Sequence, residues 1–327
     1  MMYPYKFENI YVEKVWGGRS LESFRDNLPE GNIGESWEVS CHPTATSIVS
    51  NGSEKGLSLA ALIEKHQHEL VGTAISLDRF PLLMKFLDAK EELSIQVHPS
   101  DAYALEVEND LGKTEAWVVL AAGPKANMVL GTQHCTKADF KEALLTGADL
   151  EPYLNRMAVQ TGDVYFIKSG LIHSMTDVLV AEIQQNSDTT YRVYDFNRSR
   201  EIHVDKALDV MDLSLKGEKS TGVTEAAEGY QKIYYCHDHN FSLEGYAIDS
   251  SCTESSDLER FFIFTCTEGS GEIFYENGFE TLAKGDSILI PASLGKYTFK
   301  GQMTLLKSYV PNVPQLEQHL DMLGQFC

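Results

Sequence analysis

The run Leu93-Ser94-Ile95-Gln96-Val97-His98-Pro99 decides how this chain is read. Apolar residues fall at every second position, which is the period of a strand with one buried face. Leu93, Ile95 and Val97 then share one side, and Ser94, Gln96 and His98 the other. Pro99 ends the strand and is expected to fix His98 at a rim open to solvent. Similar short β-branched and aromatic runs recur as SWEVS (36–40), EAWVVL (115–120), DVYFI (163–167), VLVAEIQQ (178–185) and YRVYDF (191–196). Gly, Asp and Asn punctuate them, so the fold class is mainly β.

Two segments break this pattern. Between Leu57 and Val71 the residues Leu59, Leu62, Ile63, His66 and Leu70 recur at helical spacing. From Thr136 to Met157 the sequence predicts a second helix, capped by Thr136 and apolar along Phe140, Ala143, Leu144 and Leu150. Helices are therefore expected to decorate the N-terminal barrel. At 327 residues the chain is about twice the ~150-residue prior for one domain. The polar stretch Leu215 to Gln231 lacks both periodicities and reads as the linker, giving units 1–220 and 221–327. In the second unit, 260–278 and 279–300 alternate between Gly-rich turns, as hairpins of a small barrel or jelly roll do. Gly162-Asp163 before VYFIKSG and Gly285-Asp286 before SILIPAS share a local pattern, a weak sign of a duplicated barrel unit.

Lys and Arg total 27 against 48 Asp and Glu, a formal charge of −21. That field opposes nucleic acid and anionic lipid, and no basic run overrides it. An anionic substrate must be attracted locally by cations in its pocket. The opening segment 1–18 has no apolar signal region and no window approaches the ~20 apolar residues of a membrane span. The six cysteines form no CxxC pair, so a reducing cytoplasm is expected.

Glu115 opens the otherwise apolar strand EAWVVL, and a carboxylate aimed into a barrel needs a cation. His173 follows a Gly turn after the buried strand VYFI. With His98 and Gln96 these residues supply imidazoles, a carboxylate and an amide oxygen from separate strands. The set suits zinc with a position left for water or substrate. Gln96 is either a direct ligand or a group that orients His98.

The motifs GESWEVS (34–40), FPLLMKFLDA (80–89), LSIQVHPSD (93–101), GKTEAW (112–117), GDVYFIKSGLIHSM (162–175) and TTYRVYDFNR (189–198) resemble the type I mannose-6-phosphate isomerases. The resemblance is to the short bacterial form of this cupin-superfamily family and covers roughly residues 1–200. It implies two cupin barrels, the first holding one Zn2+ per chain at Gln96, His98, Glu115 and His173, and the second degenerate and without metal. It also implies an active-site arginine at Arg192, and interconversion of mannose 6-phosphate and fructose 6-phosphate through a cis-enediolate. One departure is Lys168, where a proline is usual before the Gly-turn-His element. The expected partner is a small sugar phosphate, with the chain a monomer or homodimer.

Arg192 is expected to share a strand face with Tyr194 and Phe196, where a guanidinium can stabilise an enediolate or hold phosphate. Lys113, two residues before Glu115, and Lys85, which interrupts LLMKFL, are candidates for phosphate binding or proton transfer. Lys113, a metal-activated water and Asp195 are the open choices for the general base, with Asp195 on the face opposite Arg192. A metal-cupin sugar-binding or sensor protein without turnover is the rival reading, since barrel and metal alone do not imply catalysis. A metal-dependent dioxygenase would require a redox metal that zinc cannot replace. Cys41 and His42 receive no role.

Overall fold

Strand alternation sorts the side chains of the chain into two cups back to back. A computed structural model describes residues 2–324. The strands Leu82–Ala89, Glu115–Thr132 and His173–Gln185 lie side by side at the heart of a nine-stranded antiparallel sheet. Met84, Phe86, Ala116, Val118, Ala181 and Ile183 point one way, into a core that also contains Ile263, Leu289 and Leu306 of the second sheet and Phe261 just before it. The intervening residues Leu87, Trp117, Val119, Val178 and Val180 point the other way, into a separate cluster inside the first cup. Each large apolar side chain so buried contributes roughly 1.5–3 kcal/mol. The same alternation forces Lys85, Glu115 and Glu182 onto the inner face of the first cup.

A second nine-stranded sheet runs through Tyr230–His237, Ser242–Ile248, Lys296–Tyr309 and Phe262–Tyr275, with its own inner cluster around Tyr246, Phe264 and Phe299. The architecture is mainly β and of the cupin kind. The short strand Tyr5–Lys6 pairs with Ser287–Ile290, so the start of the chain contributes to the second sheet.

The expected helices form, with corrected ends. Ser58 caps Leu59–His66 by accepting from the amide of Ala61, but Gln67 adopts φ 48° and separates that helix from His68–Val71. Thr136 caps Lys137–Thr146 in a capping box with Asp139, and the helix stops there because Gly147 turns left-handed at φ 69°. A short 3-10 turn, Glu151–Tyr153, and a strand, Leu154–Ala158, replace the expected helix beyond it. Leu150 nevertheless packs in the same cluster as Phe140 and Ala143.

His68–Val71 joins the two cups through backbone: Phe261 donates to the Val71 carbonyl and Ala292 to that of Leu70. Gly72 ends this helix at φ 97°, and a Cβ there would stand 2.2 Å from the backbone of Glu259 and Arg260. Gly72→Ala is therefore expected to lower stability by about 2 kcal/mol or more, combining left-handed strain with a backbone clash. A melting temperature within a degree of wild type would contradict that placement.

Candidate metal centre and active cleft

Three strands of the first cup, and the loop that leaves one of them, bring the centre together. His173 begins His173–Gln185, Glu115 begins Glu115–Thr132, and Gln96 lies directly opposite His173 in the strand Ile95–Val97. His98 follows that strand. It is 1% exposed, not at an open rim, because the loop turns inward and is held where Gly170 donates to the His98 carbonyl.

His98 Nδ1 stands 2.9 Å from the Thr189 carbonyl, and His173 Nδ1 stands 2.8 Å from the Leu171 carbonyl. A carbonyl only accepts, so both Nδ1 atoms carry the proton. In the neutral rings, both Nε2 atoms then present lone pairs, and these face each other at 3.1 Å. Glu115 adds its two oxygens at 3.5 Å from His173 Nε2 and 3.6 Å from His98 Nε2. Both carboxylate oxygens are buried without a hydrogen-bond partner. Burial first, with Lys113 adding, holds His173 at about 4 and His98 well below its ordinary value, so neither ring supplies the missing positive charge at neutral pH. Lone pairs converging on one buried point with a carboxylate that has only the Lys113 ammonium beside it fit a cation. Among the described residues, His98, Glu115 and His173 form the one His, Cys, Asp and Glu group close enough to share an ion, with donor atoms within 4.8 Å of one another. Nitrogen and oxygen donors in this number suit zinc or a similar divalent ion. The Gln96 amide nitrogen lies 3.2 Å from His173 Nε2, adjacent to the same point, and its oxygen accepts from Ser94 at 3.1 Å.

The inner face continues from this centre into a cleft. Lys113, which precedes the strand rather than belonging to it, turns its ammonium back to Glu115 at 3.1 Å. Burial alone would lower the Lys113 pKa, but Glu115, Glu182 and Asp188 outweigh it and raise it, so this lysine stays protonated. Lys85 is 2% exposed and lies 4.5 Å from the centre of the Trp37 ring, with Asp188, Glu35 and Glu182 at 3.6, 3.9 and 4.0 Å. Arg192 lies in Tyr191–Tyr194, opposite Gln96. Among the described residues it makes no ion pair, and its Nε is buried without a hydrogen-bond partner. Burial and the neighbouring Arg200 depress its pKa, as expected of a cation awaiting an anion.

Some sequence expectations need correction here. Phe196 leaves the strand at φ 51°, and a bulge intervenes between Arg192 and Tyr194, so the three do not form one regular face. Asp195 is buried and held by Arg198 and Arg200, which removes it as a free base. The turn before His173 forms with Lys168 in place of proline, through the amide of Leu171 and the Lys168 carbonyl.

Sequence reasoning missed Glu182. It is 2% exposed, accepts from the Trp117 indole at 2.8 Å through one oxygen and leaves the other without a partner. Its signal lay in VLVAEIQQ, a charge inside an apolar strand like Lys85 in LLMKFL. Lys14, Glu35, Asp188 and Arg200 also line the cleft and were not marked. Roomier hollows exist, among them about 780 Å³ beside Cys41 and His42 and about 360 Å³ in the second cup, against about 80 Å³ here. Convergent donors, rather than volume, single out this cleft.

Residues 5–117 match the family model for the catalytic domain of type I phosphomannose isomerase, and residues 231–310 match that for the cupin domain of mannose-6-phosphate isomerase. The chain is 37% identical over 310 residues to a putative mannose-6-phosphate isomerase of Bacillus subtilis, covering 92% of this chain and 97% of the relative. It is 33% identical over 315 residues to the mannose-6-phosphate isomerase ManA of the same organism, covering 94% and 99%. A crystal structure of mannose 6-phosphate isomerase from Bacillus subtilis shares the fold with a TM-score of 0.88 at 37% identity, over 94% of this chain and 99% of that one.

Proposed function

The chain belongs to the type I phosphomannose isomerases, and from that premise we propose that it interconverts mannose 6-phosphate and fructose 6-phosphate at the cleft beside His98, Glu115 and His173. The observation that carries the metal-dependent form of this reading is the convergence of two imidazole lone pairs on the buried Glu115 carboxylate, whose oxygens meet Lys113 but are otherwise unsatisfied among the described residues. Gln96 completes the ligand set in our reading with its amide turned over, so that the oxygen rather than the nitrogen faces the ion. A bound divalent ion, zinc by the chemistry of these donors, would supply Lewis acidity to the C1 and C2 oxygens of the sugar.

The chain's own residues account for the rest. Moving a proton between C1 and C2 needs a carboxylate or similar base, and Glu182 is the buried carboxylate on the same face with an oxygen free. Lys113 stays charged and fixes Glu115, and is placed to stabilise negative charge developing on the sugar. Arg192 supplies the unpaired guanidinium for enediolate or phosphate. Lys85 faces three carboxylates, which favours holding Glu182 and Asp188 over clamping phosphate. These cations draw in a sugar phosphate against the overall charge of −21. A boundary near residue 220 separates this metal-binding unit from a second cup for which we assign no metal. The reading also keeps the enzyme in a reducing cytoplasm, consistent with free thiols at Cys41, Cys135, Cys236, Cys252 and Cys266.

Isomerisation in deuterium oxide tests the cis-enediolate. Base-mediated transfer is expected to place solvent deuterium on the carbon that receives the proton. Complete retention of the original hydrogen would mean either a hydride shift or return of the same proton by a shielded base, and Glu182→Gln separates the two, since only the second needs that carboxylate.

Burial first, with Glu115 adding, pushes the Glu182 carboxyl up to about 7 against the pull of Lys113 and Lys85. A base must be ionised, so kcat/KM is expected to fall roughly tenfold per pH unit below the pKa of Glu182. A bound cation favours the ionised form, which places that acid limb at or below about 7. Glu182→Gln is expected to cut turnover by about 10²–10⁴ and erase the limb. An unchanged limb in that variant would assign the titration to another group.

A further inference from the structure

The inner face of the second cup carries a charged lattice that the isomerase reading does not use. Tyr234, Glu244, Lys307 and Phe264 stand directly opposite one another across four adjacent strands. Lys307 lies 3.9 Å from the centre of the Phe262 ring and pairs with Glu254 at 2.8 Å. Lys232 pairs with Glu244 at 3.0 Å and sits 4.5 Å from the centre of the Tyr234 ring. Tyrosine hydroxyls close the carboxylates: Tyr309 donates to Glu244 and Tyr246 to Glu254, both at 2.5 Å. The hollow above holds about 360 Å³, and the helix Val313–Met322 covers it with Leu316 and His319.

Burying ion pairs this way rarely stabilises a barrel more than apolar packing would. Glu244, Lys307 and Arg260 are 1%, 6% and 5% exposed, and Arg260 Nε lacks a hydrogen-bond partner although Asp257 is 3.0 Å away. The volume lies within the ~300–1,000 Å³ of small-molecule sites. A cup of alternating fixed donors and acceptors with aromatic walls matches the hydroxyls and apolar faces of a sugar ring. The charge balance sets the ligand's class. Lys232, Lys307 and Arg260 face Glu225, Glu244, Glu254 and Asp257, so carboxylates outnumber these cations and a phosphate ester is disfavoured. We propose that the second cup is a binding site for a neutral, unphosphorylated sugar, separate from the isomerase cleft.

Calorimetric titration of the metal-loaded full chain with D-mannose, D-fructose and D-glucose tests this. At least one of these hexoses is expected to bind saturably at one site per chain. Lys307→Met and Glu244→Gln are each expected to weaken that binding at least tenfold while mannose 6-phosphate turnover stays at its wild-type level. Tyr234→Phe, which removes one hydroxyl from the wall, is expected to weaken it several-fold and carries the test if the charge variants do not fold. No saturable binding of any of the three at concentrations on the order of 10 mM overturns the proposal. Undiminished binding in folded, active variants overturns it too, by placing the sugar in the first cup. Because binding is read as heat without turnover, failure here leaves the isomerase reading intact.

Discussion

Glu115→Gln is expected to remove bound metal and isomerase turnover together, with turnover falling on the order of a thousandfold or more, about 4 kcal/mol of transition-state stabilisation. The substitution keeps the shape of the side chain and removes its charge. Both Glu115 oxygens are buried without hydrogen-bond partners, so the carboxylate is satisfied by a cation or by nothing except Lys113. An amide at this position would place two N–H donors beside imidazole lone pairs and weaken every other ligand. Metal content by elemental analysis and turnover should fall in step, while far-ultraviolet circular dichroism keeps the strand signature. Near-normal activity in a metal-free Glu115→Gln protein would show that the group is structural.

Arg192→Ala is expected to separate those two readouts. Turnover should drop by about 10²–10³, the scale for losing one preorganised charge donor at a developing oxyanion, while metal content stays near one per chain. The reason is geometric: Arg192 pairs across the strand with Gln96 but makes no ion pair among the described residues, and its buried Nε has no partner. If kcat falls with KM unchanged, Arg192 acts on the enediolate. If KM alone rises, it binds phosphate uniformly in ground and transition states. Equal loss of metal and activity would assign it a structural role.

Period-2 alternation made most of this architecture legible. The rule that puts Ser94, Gln96 and His98 on one side also puts Lys85, Glu115 and Glu182 into one cup, and the structure has them there. Where alternation stops, so did foresight. His98 lies one residue past its strand, and only the tertiary contact to Gly170 shows that it turns inward. The break of Tyr191–Tyr194 into a bulge and left-handed residues displaced Phe196 from the expected face. Asp195 looked available because its partners Arg198 and Arg200 follow in an irregular loop with no period to read. The helix after Thr136 was carried too far because Leu150 remains buried although Gly147 has already ended the helix. Glu182 shows a different gap, since a carboxylate within an apolar strand carried the same signal as Lys85 and was passed over. The strand Tyr5–Lys6 joins the second sheet by a pairing of residues more than 280 positions apart, which no local pattern encodes.

The most direct measurement is conversion of mannose 6-phosphate to fructose 6-phosphate by the purified chain before and after chelation, with zinc then added back and bound metal counted at each step. The account requires turnover that disappears with the metal and returns with one zinc per chain. Full turnover in a chelated, metal-free protein, or none in a folded and zinc-loaded one, would contradict it.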